Sequence, residues 1–171
     1  HGGYDVVRII NSLFLSENGI LGVPMGVMFN FIYLFVLFGA LFGAAGGTKF
    51  FIDLTRSMFR GVTGGPAKVA VVSSALMGTI SGSAVANVVT TGTFTIPMMK
   101  KVGFEPHVAG AVEAVASTGG QLMPPIMGAA AFLMADYLNV PYLSVAKAAI
   151  LPAIIYYMAT FAFVHFYTLK L

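Results

Sequence analysis

Four stretches of the chain carry no Asp, Glu, Lys or Arg: residues 18–48, 69–99, 114–135 and 148–169. Each is as long as the roughly 20 residues that a helix needs to cross a hydrocarbon core. That spacing makes the chain a polytopic, all-α membrane protein. Only 9% of its 171 residues are charged and 58% are hydrophobic, against about a quarter charged in a soluble domain. Such a composition excludes a disordered tail, and the absence of Cys excludes a disulfide-stapled secreted domain and a thiolate metal site. Nine Lys and Arg outnumber six Asp and Glu. These bases sit at the edges of the apolar runs, where they orient helices rather than bind nucleic acid.

The four stretches differ in kind. Residues 18–48, centred on MFNFIYLFVLFGALF, read as a full transmembrane span, with Gly39, Gly43 and Gly47 on one face for close packing. Residues 1–17 before it carry Asp5, Arg8, Asn11 and Ser12 among apolar residues and read as an interfacial helix. Residues 49–63 read likewise, with Asp53, Arg56 and Arg60 on one face and Phe51, Leu54 and Met58 near the other.

Residues 69–99 hold ten Ser, Thr or Asn in 31 residues: Ser73, Ser74, Thr79, Ser81, Ser83, Asn87, Thr90, Thr91, Thr93 and Thr95. Lipid does not tolerate that density. Ser81-Gly82-Ser83 divides two arms of roughly 15 residues, about 22 Å each, short for a core of about 30 Å. The expectation is a re-entrant helical hairpin over 64–102 with Lys68, Lys100 and Lys101 at its mouth; two thin or tilted spans are the alternative. Residues 105–138 read as a broken transmembrane helix, interrupted at Thr118-Gly119-Gly120-Gln121 and Pro124-Pro125 and resuming near Ile126. Residues 142–170 form one last span, with Tyr156, Tyr157, His165 and Tyr167 as amphipathic, interfacial anchors. If the hairpin returns to its own side, Lys49, Arg56, Arg60, Lys68, Lys100, Lys101 and Lys170 face Arg8 and Lys147, which makes the first group cytoplasmic and the N-terminus external.

At the hairpin tip the first arm ends in unsatisfied carbonyls and the second begins with unsatisfied N–H groups. Carbonyls with the hydroxyls of Thr79, Ser81 and Ser83 suit a hard cation such as sodium, while the free N–H groups favour a carboxylate. The break at Ser117–Gln121 is expected to expose further carbonyls and the Ser117 and Thr118 hydroxyls. Two discontinuous elements in one short chain are how secondary transporters build midplane sites for a coupling ion and an anionic substrate.

The same residues carry a resemblance. GGPAKVAVVSSALMGTISGSAVANVVTTGTFTIPMMKKVGFEP (64–106), followed by AVEAVASTGGQLMPPIMGAAAFLMA (111–135), resembles the large membrane subunit of tripartite ATP-independent periplasmic (TRAP) transporters. Within it, the chain is most similar to the branch in which small and large membrane subunits are fused and a TAXI-type solute receptor serves the permease. The resemblance covers nearly all residues and corresponds to the first half of the large subunit. It implies half of an inverted-repeat, elevator-type permease in a bacterial or archaeal inner membrane, importing organic acids with sodium. The implied partners are a periplasmic solute-binding protein, a small membrane subunit or fused equivalent, and a C-terminal half of the permease. On this resemblance Ser81, Gly82, Ser83 and Asn87 form the first hairpin tip and Ser117, Thr118, Gly119 and Gly120 the facing break. Together they hold half of the substrate pocket and one sodium ion, at Ser81, Ser83, Ser117 and Thr118, with no other cofactor. A start at His1 without an initiator Met or signal peptide reads as a fragment.

Glu113 lies four residues before Ser117 and seven after Pro106. It carries a proton or completes a cation site, or else it sits near the interface and pairs with Lys100 or Lys101. His1, His107 and His165 have no metal-ligand spacing, and His107 falls at a helix start. A Ser81 or Ser83 nucleophile with His107 as base lacks both a G-x-S-x-G elbow and an orienting acid, so the chain reads as no enzyme. A structural or passive channel-like protein, whose Gly, Ser and Thr serve packing, is the remaining alternative.

Overall fold

The computed structural model describes residues 4–16 and 19–171. The secondary structure among them is helical throughout. α1 (Val6–Phe14) buries none of its residues, and the Arg8 guanidinium lies 5.2 Å from the centre of the Tyr4 ring. α2 (Val23–Val27) runs through a π-helical turn, Met28–Ile32, into α3 (Tyr33–Ala44), so one helix spans 23–44. This helix and α9 (Tyr142–Lys170) are the two, among the described residues, long and apolar enough to cross a membrane. Both leave most of their large apolar side chains exposed, as helices facing lipid do.

The first span is shorter than its uncharged stretch. A turn at Ala45–Gly46, with Gly46 at φ +90°, ends it and starts α4 (Gly47–Met58). Gly47 therefore belongs to the next helix, and the expected stripe of Gly39, Gly43 and Gly47 along one helix stops at Gly43. α4 is amphipathic, but its inward face is Thr48, Ile52 and Thr55 against the neighbouring helix, whereas Leu54 and Met58 point outward. Thr55 fits there because its hydroxyl donates to its own helix, to Phe51 O at 2.8 Å and Ile52 O at 3.0 Å.

α5 (Gly65–Ser81) and α6 (Ala84–Lys101) form a tight helical hairpin, each arm about 26 Å long at 1.5 Å per residue. α7 (Pro106–Gly119) packs along both arms, and the three make the centre of the molecule. Their common core is built largely of alanine: Ala67 and Ala70 from α5, Ala109 and Ala116 from α7, with Met99, Phe104 and Val164 closing it. Small side chains let helix backbones approach where lipid gives no hydrophobic drive to pack. α8 (Ala129–Tyr137) follows the break and holds Phe132 between Phe31 and Tyr142, at ring separations of 5.5 and 4.3 Å.

α9 crosses behind the hairpin. Its end meets the hairpin's open end, with Phe104 5.1 Å from Tyr167, and Lys68 is only 4% exposed with its ammonium 5.5 Å from the Phe161 ring centre. Tyr156 and Tyr157 turn their hydroxyls toward α7. Their hydroxyls donate to the carbonyls of Val115 and Ala116 at 2.8 and 3.0 Å, which ties α9 to the end of α7. The reason is local: the Gly120 N–H turns to Ser117 O, leaving Ala116 O without its usual helical partner.

Candidate functional site

The hairpin turns on two residues. Gly82 adopts φ +59°, and a Cβ there would overlap the carbonyl oxygen of Met127. Ser83 is the N-cap of α6, its Oγ accepting the Ala86 N–H at 3.3 Å. Beyond Gly78, whose carbonyl takes the Gly82 N–H, the carbonyls of Thr79, Ile80 and Ser81 accept no backbone hydrogen bond among the described residues, and neither Ala84 nor Val85 N–H finds a backbone acceptor among them. Carbonyls and N–H groups thus meet at one point.

The tip rests on the break in α7. Gly120 Cα sits so close to Gly78 that a Cβ on Gly120 would lie 2.8 Å from the Gly78 Cα. A cavity of about 290 Å³ opens beside this contact, with Ser81, Gly82 and Ser83 on one side, Gln121, Ile126 and Met127 on another. The π-helical turn and α3 supply the third wall through Met28 and Phe35. Ser81 Oγ is buried here without a hydrogen-bond partner among the described residues, and a buried hydroxyl in that condition is the exception in folded proteins.

Not every expected site residue reaches this cavity. Thr79 bonds back to Leu76 O at 2.6 Å, within its own helix. Asn87 is wholly buried, and its Nδ2 donates across the hairpin to Ser74 O at 2.8 Å. The break begins later than the sequence suggests: Ser117, Thr118 and Gly119 are still helical, and helix resumes at Ala129, not Ile126. The Thr118 hydroxyl bonds Ala114 O at 2.8 Å on the exposed side, whereas Ser117 points into the core. Nor does the break bare its carbonyls, because those of Ser117, Thr118, Gly119 and Gly120 each accept the N–H three residues on. The residues that do face the tip are Gln121 and Ile126–Met127, which the dipeptide breaks at Gly119-Gly120 and Pro124-Pro125 leave as irregular chain.

Behind the tip lies a second polar cluster. Glu113 is 0% exposed. Its Oε1 accepts hydrogen bonds from Thr91 Oγ1 (2.5 Å), Ser117 Oγ (3.0 Å) and Ser74 Oγ (3.1 Å), and its Oε2 from Thr95 Oγ1 (2.5 Å). One carboxyl group therefore joins α5, α6 and α7. This overturns the reading that places Glu113 at the interface with Lys100 or Lys101: among the described residues the one ion-pair contact is His107–Glu105 at 3.4 Å. The sequence holds a signal for the cluster in Ser74, Thr91 and Thr95, three hydroxyls facing one way on the two arms.

His107 lies in the first turn of α7, about 18 Å along that helix from Gly119, so it cannot serve Ser81 or Ser83 as a base. Among the described residues no group of His, Asp or Glu has metal-ligand geometry. Another cavity, about 590 Å³, lies between α5 and α9 and is walled mostly by apolar side chains such as Val71, Ile154 and Phe161.

The chain is similar in sequence to known proteins. Over 101 residues, 59% of this chain and 23% of the relative's length, it is 41% identical to the uncharacterized protein y4mL of Sinorhizobium fredii (strain NBRC 101917 / NGR234). The chain thus spans about a quarter of the length of that relative. No solved structure matches it. Residues 2–171 match the family described as "Tripartite ATP-independent periplasmic transporter, DctM component". A match over that length settles the family, and the chain belongs to the DctM components of tripartite ATP-independent periplasmic transporters.

Proposed function

We propose that the chain is one half of the permease of a sodium-coupled transporter that imports organic acids handed over by a periplasmic solute-binding protein. The observation that carries this reading is the cavity where hairpin tip and helix break meet, with the unpartnered Ser81 hydroxyl in its wall. Unpaired carbonyls of α5 and the Ser81 and Ser83 oxygens are ligands for sodium, and the N–H groups at the start of α6 attract a carboxylate. Gln121 adds an amide for a carboxylate or hydroxyl of the solute. Gly120 acts by holding tip and break together, Asn87 by tying the two arms, Gly119 by admitting the Tyr156 and Tyr157 rings beside the break, Ser117 through Glu113, and Thr79 and Thr118 from the outer edges of the same two elements.

On this reading the hairpin is re-entrant, its mouth at Lys68, Lys100 and Lys101 opening to the cytoplasm of a bacterial or archaeal cell. A second, inverted half completes the pocket, and a small membrane subunit or its fused equivalent completes the permease. The pocket rides with the hairpin past a fixed scaffold, in the alternating access of inverted-repeat transporters.

The test is uptake by the complete permease in liposomes, with its solute receptor and a panel of labelled organic acids, with and without an inward sodium gradient. Saturable, sodium-driven and receptor-dependent accumulation is expected. Flux that rises linearly with solute and ignores sodium would make the chain part of a passive pore.

A further inference from the structure

The proposed site makes no direct contact with the one fully buried carboxyl group among the described residues. Glu113 lies under the hairpin among hydroxyls, with no basic side chain paired to it among the described residues. A carboxylate held away from water needs a compensating charge, and here the neighbours offer only oxygen atoms. Within hydrogen-bonding reach of the carboxyl group are the hydroxyls of Ser74, Thr91, Thr95 and Ser117, and Asn87 Oδ1 lies 3.4 Å from Thr91 Oγ1. An all-oxygen set with one formal negative charge matches a hard monovalent cation.

The proton count of the cluster points the same way. Each hydroxyl has a single proton and two lone pairs. In the ion-free form the protons point at the carboxylate. Thr91 and Thr95, however, each have a second acceptor in reach: Asn87 O at 2.7 Å and Thr91 O at 3.0 Å. Turning those two protons onto the helix carbonyls leaves the hydroxyls bonded and presents their lone pairs to the carboxylate. The cluster therefore switches from a hydrogen-bond cage to a cation cage without leaving either threonine unsatisfied.

We infer that Glu113, with Thr91, Thr95 and Ser74, binds a sodium ion between the two hairpin arms and α7, at a site separate from the hairpin tip. The ion enters by replacing the O–H···O contacts of 2.5 Å to Thr91 and Thr95. Since those residues stand on α6 and the carboxylate on α7, binding sets the spacing of the two helices just below the tip. As a coupling ion it rests on the transport reading; as a bound ion it does not.

The experiment measures ion binding with neither solute nor receptor present, so its outcome is independent of transport. The complete purified permease is titrated with radioactive sodium at one fixed pH, ionic strength being held with choline, and thermal stabilisation by sodium is followed in parallel. Glu113→Gln, which keeps an oxygen and removes the charge, is expected to weaken sodium binding at this site by about tenfold or more, as loss of charge-assisted contacts does. Thr91→Val and Thr95→Val, which remove the switching hydroxyls, are expected to do the same in smaller measure. Unchanged sodium affinity in a folded Glu113→Gln protein would overturn the proposal, as would a carboxyl group that holds only a proton and leaves every variant as sodium-sensitive as the parent. Where Glu113→Gln does not fold, the two threonine variants decide the question in its place: weakened sodium binding supports the site and unchanged binding removes it. Sodium binding without uptake would leave this inference standing and remove the transport reading.

Discussion

Gly78 on the first hairpin arm and Gly120 at the end of α7 meet backbone to backbone, with room for no side chain on either. This contact brings the two interrupted helices to one place. Gly78→Ala drives a methyl group into the Gly120 Cα, and overpacking of this kind costs about 1–3 kcal/mol. The expected result is a lower unfolding temperature in detergent together with lost uptake. A protein of parental stability and activity would show that tip and break do not depend on one another.

Ser81→Ala separates function from folding. Its hydroxyl has no partner to lose, so stability should stay within about 0.5 kcal/mol of the parent. Sodium-driven uptake should fall by about tenfold, the effect of losing one contact to an ion or anion. Equal uptake by the variant would take Ser81 out of the binding site.

Asn87→Ala removes the amide that crosses the hairpin to Ser74 O at 2.8 Å. Ser74 O keeps the helical N–H of Gly78, so the loss is that of one buried hydrogen bond, about 1 kcal/mol, and amide exchange should speed up across the tip on both arms. Acceleration confined to α6 would mean that the bond does not hold the arms together.

Tyr157→Phe withdraws the hydroxyl that donates to Ala116 O at 3.0 Å. The expected loss is about 1 kcal/mol of stability. Tyr156→Phe should cost less, because Val115 O keeps the Gly119 N–H of its own helix whereas Ala116 O has lost its helical partner. The two variants compared by thermal unfolding test that order.

Much of the fold follows from where charge is absent. Two long apolar helices, at 23–44 and 142–170, fall within uncharged stretches or close to them, and the chain turns at Gly82 between two helices, as expected where lipid forbids unpaired backbone and punishes charge. Boundaries were less legible. Thr118 and Gly119 look like loop residues, but 3₁₀-type bonds out to Met123 carry the helical path past them.

Glu113 shows why the polar cluster was harder to read. Seven residues from Pro106 it looks interfacial, since position along a helix suggests depth. Its burial is decided by Ser74, Thr91 and Thr95, between 18 and 39 residues away in sequence. Those hydroxyls read equally well as the lining of a wet cavity or as donors to one buried group. Only the pairing of α5 with α6 under α7 chooses between them.

The same separation in sequence orders the making of the protein. The hairpin is synthesised before the one carboxyl group that gathers its hydroxyls. Until Glu113 follows, Thr91 and Thr95 bind the carbonyls of their own helix, at Asn87 and Thr91, and Thr91 has the longer contacts to Ser74 Oγ at 3.3 Å and Asn87 Oδ1 at 3.4 Å. The arms can be tied before α7 arrives, by Asn87 Nδ2 to Ser74 O, but a nascent chain halted before residue 113 holds a hairpin whose inner face is still polar.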